Sequence, residues 1–99
     1  MLEQIYEESL VVELNTMGLK VERQKSIPIE YNGIKIQCDY RLDILVEDTV
    51  IIELKAVSEI MDIHKKQLLT YLKVTNKHVG ILVNFNTTDI IHSIIRIAN

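Results

Sequence analysis

Leu2, Ile5, Tyr6, Leu10, Leu14 and Met17 recur at the three- and four-residue steps of a helix, and glutamates crowd the early turns, where the helix dipole favours them. The spacing predicts a helix from Leu2 to about Met17, with Gly18 as its stop signal. A strand containing Ile27, Ile29 and Tyr31 then runs into Asn32-Gly33, a strong two-residue hairpin signal. That turn would pair Tyr31 with Ile34, Glu30 with Lys35 and Ile29 with Ile36, matching apolar with apolar and acid with base. Pro28 lacks a backbone donor, so an edge position or an irregularity is expected there.

The second strand has the clearest alternation. Ile34, Ile36, Cys38, Tyr40, Leu42, Ile44 and Val46 occupy one predicted face, and Lys35, Gln37, Asp39, Arg41 and Asp43 the other. A third strand, Val50 to about Val57, places Glu53 and Lys55 opposite Val50, Ile52, Leu54 and Ala56. A helix from about Ser58 to Val74 follows, with Ser58 as its N-cap. Val79 to Phe85 reads as a central strand covered on both faces. Thr87 to about Ile97 reads as a closing helix, with Ile90, Ile91, Ile94 and Ile95 as its buried stripe. The predicted order is α-β-β-β-α-β-α, an α/β chain with a mixed sheet flanked by helices.

Ninety-nine residues, 47% of them apolar, are expected to form one domain over 1–99. The N-terminus lacks the basic-then-apolar order of a signal peptide. No apolar run approaches the ~20 residues that a bilayer demands, so a cytoplasmic protein with no membrane partner is expected. Cys38 is the single cysteine, which excludes an internal disulfide and a cysteine zinc site. The alternation around it reads as a strand, making it a small buried hydrophobe. The net charge of −3 means that any binding to nucleic acid must rest on a local basic patch, oligomerisation or a partner.

The candidate chemistry lies where the second and third strands pair. A three-residue loop, Glu47-Asp48-Thr49, sets Val46 opposite Val50, Leu45 opposite Ile51 and Asp43 opposite Glu53. Opposed residues share a face with Cβ atoms ~5 Å apart, whereas an even loop would turn an apolar row onto the polar side. Two carboxylates so placed repel unless a cation lies between them. Lys55, two residues along on the same face, can supply part of that charge; a divalent ion is the other solution, since Mg²⁺ favours one or two carboxylates plus water and a substrate phosphate. On spacing alone, an acid pair and a lysine on an open antiparallel face are a solvated surface with a weak ion pair. The apolar flanks and the amphipathic helices able to cover this face favour the functional alternative.

Asp43 followed by Val50-Ile51-Ile52-Glu53-Leu54-Lys55 resembles the bipartite PD-(D/E)XK nuclease signature, with Leu42 in the place of its proline. More narrowly, the chain resembles the GxxExxY family of that superfamily along nearly its whole length. The residues that carry this are Leu2-Glu3-Gln4-Ile5-Tyr6-Glu7, Tyr40-Arg41-Leu42-Asp43, Glu53-Leu54-Lys55-Ala56-Val57, Gln67-Leu68-Leu69-Thr70-Tyr71-Leu72-Lys73 and Gly80-Ile81-Leu82-Val83-Asn84-Phe85. The family's glycine would fall just before Met1. The resemblance implies a restriction-endonuclease-like core, with Asp43, Glu53 and the carbonyl of Leu54 as ligands of Mg²⁺ or Mn²⁺. It makes Lys55 the base or transition-state stabiliser and Glu3 the helix carboxylate, with Glu7 one turn on as the alternative. Gln67 and Tyr71 resemble the Q-x-x-x-Y motif of the RecB-like branch, which would orient Lys55 or hold the substrate backbone. His64 shares their helical stripe and is a weaker candidate for substrate contact. Lys65, Lys66, Lys73 and Lys77 are candidates for a phosphate-facing patch.

The expected activity is metal-dependent hydrolysis of phosphodiester bonds in nucleic acid, DNA in particular, and the small surface a single domain offers a duplex points to a homodimer. The competing expectation is a catalytically silent module of the same fold that binds nucleic acid or a partner protein. A hydrolase of free nucleotides is disfavoured, because the chain has no glycine-rich phosphate loop.

Overall fold

The computed structural model describes residues 2–86, 88 and 93–99, with the side chains of Leu2 and of 37–40 left aside. The elements are α1 (Leu2–Thr16), β1 (Val21–Tyr31), β2 (Ile34–Val46), β3 (Val50–Lys55), α2 (Asp62–Thr75), β4 (Val79–Asn84) and β5 (Ile94–Ala98). Among the described residues the strands form one sheet in the order β1-β2-β3-β4-β5. β3 and β4 are parallel, joined through α2, and the other neighbours are antiparallel.

Two apolar layers clamp this sheet. On one face Leu42, Leu45, Ile51 and Leu82 pack with Leu68 and Leu72 of α2. On the other, Ile44, Val46 and Ile52 pack with Leu10, Val11 and Leu14 of α1, joined by Leu54, Ile81 and Val83. Alternation along β3 and β4 accounts for this division, because successive side chains leave a strand on opposite faces. Gly80 lets α2 approach, since a Cβ there would stand 2.8 Å from the Leu68 side chain.

The predicted hairpin and β2–β3 register are present. Tyr31 pairs with Ile34, Glu30 with Lys35, Val46 with Val50 and Leu45 with Ile51. The irregularity expected near Pro28 is also present: the register shifts between Pro28 and Glu30, so Pro28 pairs with Asp39 and the predicted Ile29–Ile36 pair drops out of the ladder. β1 is an edge strand, where a missing donor does least harm.

Three expectations are corrected. The closing helix over Thr87–Ile97 is not formed in its second half: Ile94–Ala98 is a strand paired to β4, with Ile95 and Ile97 turned to the α2-side core and Ile94 exposed. Ile95 and Ile97 alternate with the outward Ile94 and Arg96, and β4 completes their hydrogen bonds. Ile90 and Ile91 lie outside the described residues. The helix after β3 begins at Asp62 rather than near Ser58. The chain before it is held as a loop, with Ile60 packed against the core and Val57 bound at both backbone groups by Asn84.

The third correction bears on the site. Leu42 does not share a face with Ile44 and Val46, because it packs on the α2 side and they pack on the α1 side. The phase of β2 slips at Asp43. Opposite that point, Gln24 adopts a left-handed backbone (φ 51°), and the ladder passes from Arg23–Ile44 to Lys25–Leu42 without a Gln24–Asp43 pair. The environment expected for Cys38 lies outside the described side chains.

Candidate active site

The β2–β3 ladder closes with the pair Ile44–Ile52. One step further, where Asp43 would face Glu53, the Asp43 side chain enters the gap and its Oδ2 accepts a hydrogen bond from the Leu54 N–H at 3.0 Å. The carboxylate thus stands close to the sheet plane, at the fork where the two strands part. The Lys55 carbonyl accepts from the Phe85 N–H on the β4 side. Backbone groups of consecutive strand residues point to opposite edges, so the N–H and C=O of Leu54 both face β2 and Asp43.

Helix α1 brings further carboxylates to this fork. A pocket of about 270 Å³ is lined by Glu3, Gln4, Glu7, Gln24, Asp43 and Leu54. Tyr6 fixes the helix rotation: its ring stacks on Phe85 at 4.7 Å between centroids and 17° between planes. Glu3 and Glu7 lie three residues before and one after Tyr6, on the side toward the pocket. Glu7 Oε1 accepts from Gln24 Nε2 at 2.8 Å.

Asp43 is half-buried, and burial is the main reason that its carboxyl is pushed above the ordinary carboxylate range. The Leu54 N–H opposes the rise, the negative charge of Glu7 adds to it, and Lys55 and a hydrogen bond from Gln24 lower it. Lys55 is therefore within electrostatic reach of Asp43, and Glu7 is the α1 carboxylate whose charge bears on it.

Glu53 is buried at 8% exposure. Strand alternation puts Glu53 and Lys55 on the Ile51 row of β3, the face covered by α2, whereas Leu54 belongs to the α1 side. The site therefore straddles the end of the ladder. Asp43, Glu3 and Glu7 gather on the α1 side, and Glu53 and Lys55 approach along the α2 side, in place of the single shared face expected from the register.

On α2, Gln67 Nε2 donates to Tyr71 Oη at 2.7 Å, so the two members of the motif touch. The described residues that line the acidic pocket come from α1, β1, β2 and β3, not from α2. His64 Nδ1 accepts from the Met61 N–H at 2.9 Å and closes the first turn of α2, a structural duty. Lys77 turns to the β2–β3 turn, where Nζ donates to the Asp48 carbonyl at 2.8 Å, at the opposite end of β3 from the fork.

Two residues that sequence reasoning passed over support the site. Asn84 is buried at 1% exposure, accepts from the Val57 N–H and donates to the Val57 carbonyl, clamping the chain just beyond Lys55. Gln24 donates to Glu7 and lines the pocket beside Asp43. Neither leaves a periodic signal, although an asparagine ending an apolar strand hints at a loop clamp.

A divalent cation fits this donor set. The donors are hard oxygens, and a raised carboxyl beside a second carboxylate is a pair whose repulsion a cation relieves. Among the described residues no three Asp, Glu, His or Cys side chains form a metal-holding group.

A mixed sheet between two helices, with carboxylates at the parted end of a β-hairpin next to Glu-x-Lys, defines a nuclease-like core. Residues 1–97 match the family model of the PD-(D/E)XK nuclease superfamily, and the chain belongs to that superfamily. Its fold is similar to the solved structure described as "Crystal structure of SSO0001", with a TM-score of 0.70 at 23% identity. That likeness covers 99% of this chain and 50% of the other, so the chain spans about half the length of that relative. No curated protein matches the sequence. Among the described residues no helix is long and apolar enough to cross a membrane.

Proposed function

We propose that this chain hydrolyses phosphodiester bonds in nucleic acid, with DNA as the expected substrate, at the β2–β3 fork. The observation that carries the reading is the half-buried Asp43 carboxylate hydrogen-bonded to the Leu54 N–H, next to the Glu53 and Lys55 positions of the signature. Asp43, Glu53 and the Leu54 carbonyl would hold Mg²⁺ or Mn²⁺. When bound, the ion supplies charge neutralisation at the phosphate and acidifies a coordinated water.

The chain's own residues supply the rest. Lys55 orients the attacking water or stabilises negative charge growing on the phosphate oxygens. The α1 carboxylate, Glu7 by its link to Asp43 or Glu3 on the same wall, holds a water at the pocket rim. Gln67 and Tyr71, paired on the helix that covers the Lys55 row, steady Lys55 or the substrate backbone. Glu3 and Tyr6 at the start of α1 support membership in the GxxExxY branch. A homodimer would widen the surface available to a duplex.

The test is cleavage of single- and double-stranded DNA in Mg²⁺ and in Mn²⁺ by wild type, Asp43→Ala and Lys55→Ala. Cleavage by wild type alone is expected, and equal activity in all three would mean a contaminating nuclease. A second reading, a catalytically silent binding module, is favoured by one observation. Several basic side chains are already engaged: Arg23 with Glu8, Lys25 with Glu22 and Lys77 with Asp48, in a chain of net charge −3. DNA binding without cleavage would select it.

A further inference from the structure

Gln24 combines three features that helix and strand periodicity do not explain. It lies within β1 with a left-handed backbone, φ 51°, a conformation that residues other than glycine rarely adopt. It interrupts the β1–β2 ladder at the point where the phase of β2 slips and Asp43 turns to Leu54. Its side chain reaches α1, donating to Glu7 Oε1 at 2.8 Å, and lines the same pocket as Asp43, whose charged form it favours. Local strain that coincides with a cluster of carboxylates points to a function for the strained residue.

The chemistry of the side chain is informative. A carboxamide nitrogen carries two N–H donors, enough for one carboxylate on each side. It can therefore fix the spacing of two like charges without neutralising either. A lysine at this position would pair with both acids and occupy the place of a cation. A hydrophobic residue would leave the two carboxylates free to swing apart.

We propose that Gln24 is a positioning residue, whose amide holds Glu7 and Asp43 at a set separation and leaves their joint negative charge available to a divalent cation. The inference rests on the phosphodiesterase reading, and it makes Glu7 rather than Glu3 the helix carboxylate that acts with Asp43. Groups that orient metal ligands typically change metal affinity 10–100-fold when removed.

The experiment is calorimetric titration of the purified chain with Mn²⁺, alongside thermal unfolding without metal, for wild type, Gln24→Asn and Gln24→Lys. Asparagine tolerates the left-handed backbone better than glutamine but is one methylene too short to bridge the acids. Gln24→Asn is expected to keep or raise the melting temperature while weakening Mn²⁺ binding about tenfold. Gln24→Lys is expected to raise the melting temperature and abolish Mn²⁺ uptake. A residue that served the fold alone would instead lower stability in at least one variant and leave affinity unchanged. Wild-type affinity in both variants overturns the inference while leaving the phosphodiesterase reading intact. A wild type that takes up no Mn²⁺ at millimolar concentration overturns both. Should Gln24→Asn not fold, Gln24→Lys decides alone, because retained Mn²⁺ binding there contradicts the proposed role.

Discussion

The Asp43 carboxylate accepts the backbone N–H of Leu54 at 3.0 Å, in the gap where the β2–β3 ladder ends. The contact replaces a backbone hydrogen bond with a charged side chain that is half-buried and close to Glu7. A carboxylate kept in such a place is a cost to the fold unless something binds it.

That cost can be measured. The Asp43 carboxyl is raised in the folded state, so the native protein holds its proton more tightly than the unfolded chain does. The charge carries no penalty at pH values where both states are protonated. The penalty grows as pH climbs through the folded pKa and is complete above it. Asp43→Asn, whose amide oxygen still accepts from Leu54, should therefore melt higher than wild type near neutral pH. The gain should shrink in acid. Thermal unfolding over a pH series, without metal, checks this, and a lower melting temperature near neutrality would contradict it.

Mn²⁺ should offset the same penalty. Binding to the native state alone stabilises it by about 2.7 kcal/mol at a hundred times the dissociation constant. The melting temperature of wild type should rise with Mn²⁺ concentration, and that of Asp43→Ala should stay flat. Equal shifts in both would mean that the ion binds elsewhere.

Lys55 and Asp43 should separate by assay. Lys55→Ala is expected to keep Mn²⁺ binding and to lose DNA cleavage by at least ~100-fold, the usual scale for a group that moves a proton in the transition state. Loss of metal binding along with cleavage would assign Lys55 to holding the site together instead.

Asn84 is expected to matter for stability first. Asn84→Ala strands both backbone groups of Val57 in a half-buried loop, at a cost of about 1–3 kcal/mol. Denaturant unfolding gives the figure. Activity should fall as well, because this clamp fixes the chain beyond Lys55.

Gly80→Ala probes the close contact between α2 and the sheet. The new methyl would lie 2.8–3.0 Å from three atoms of the Leu68 side chain, which is itself buried. Overpacking of this kind costs about 1–3 kcal/mol. Adding Leu68→Ala to the same chain should recover part of the loss, and a fully additive pair would refute the steric account.

The alternation of apolar residues around Glu47-Asp48-Thr49 settled the β2–β3 register, and Asn32-Gly33 settled the first hairpin. The signature residues marked the superfamily. These features are local, because strand period, turn chemistry and motif spacing are written into consecutive residues. The tertiary structure alone decided the left-handed turn at Gln24, the slip that carries Asp43 into the fork, and the hydrogen bond from Gln24 to Glu7. It also turned Ile94–Ala98 into a strand beside β4 and made Asn84 a clamp. Each depends on a hydrogen-bond partner distant in sequence, 17 residues for Gln24 and Glu7 and 27 for Asn84 and Val57. Periodicity records which face a residue prefers, whereas the partner that satisfies a polar group is fixed only when separate elements pack together.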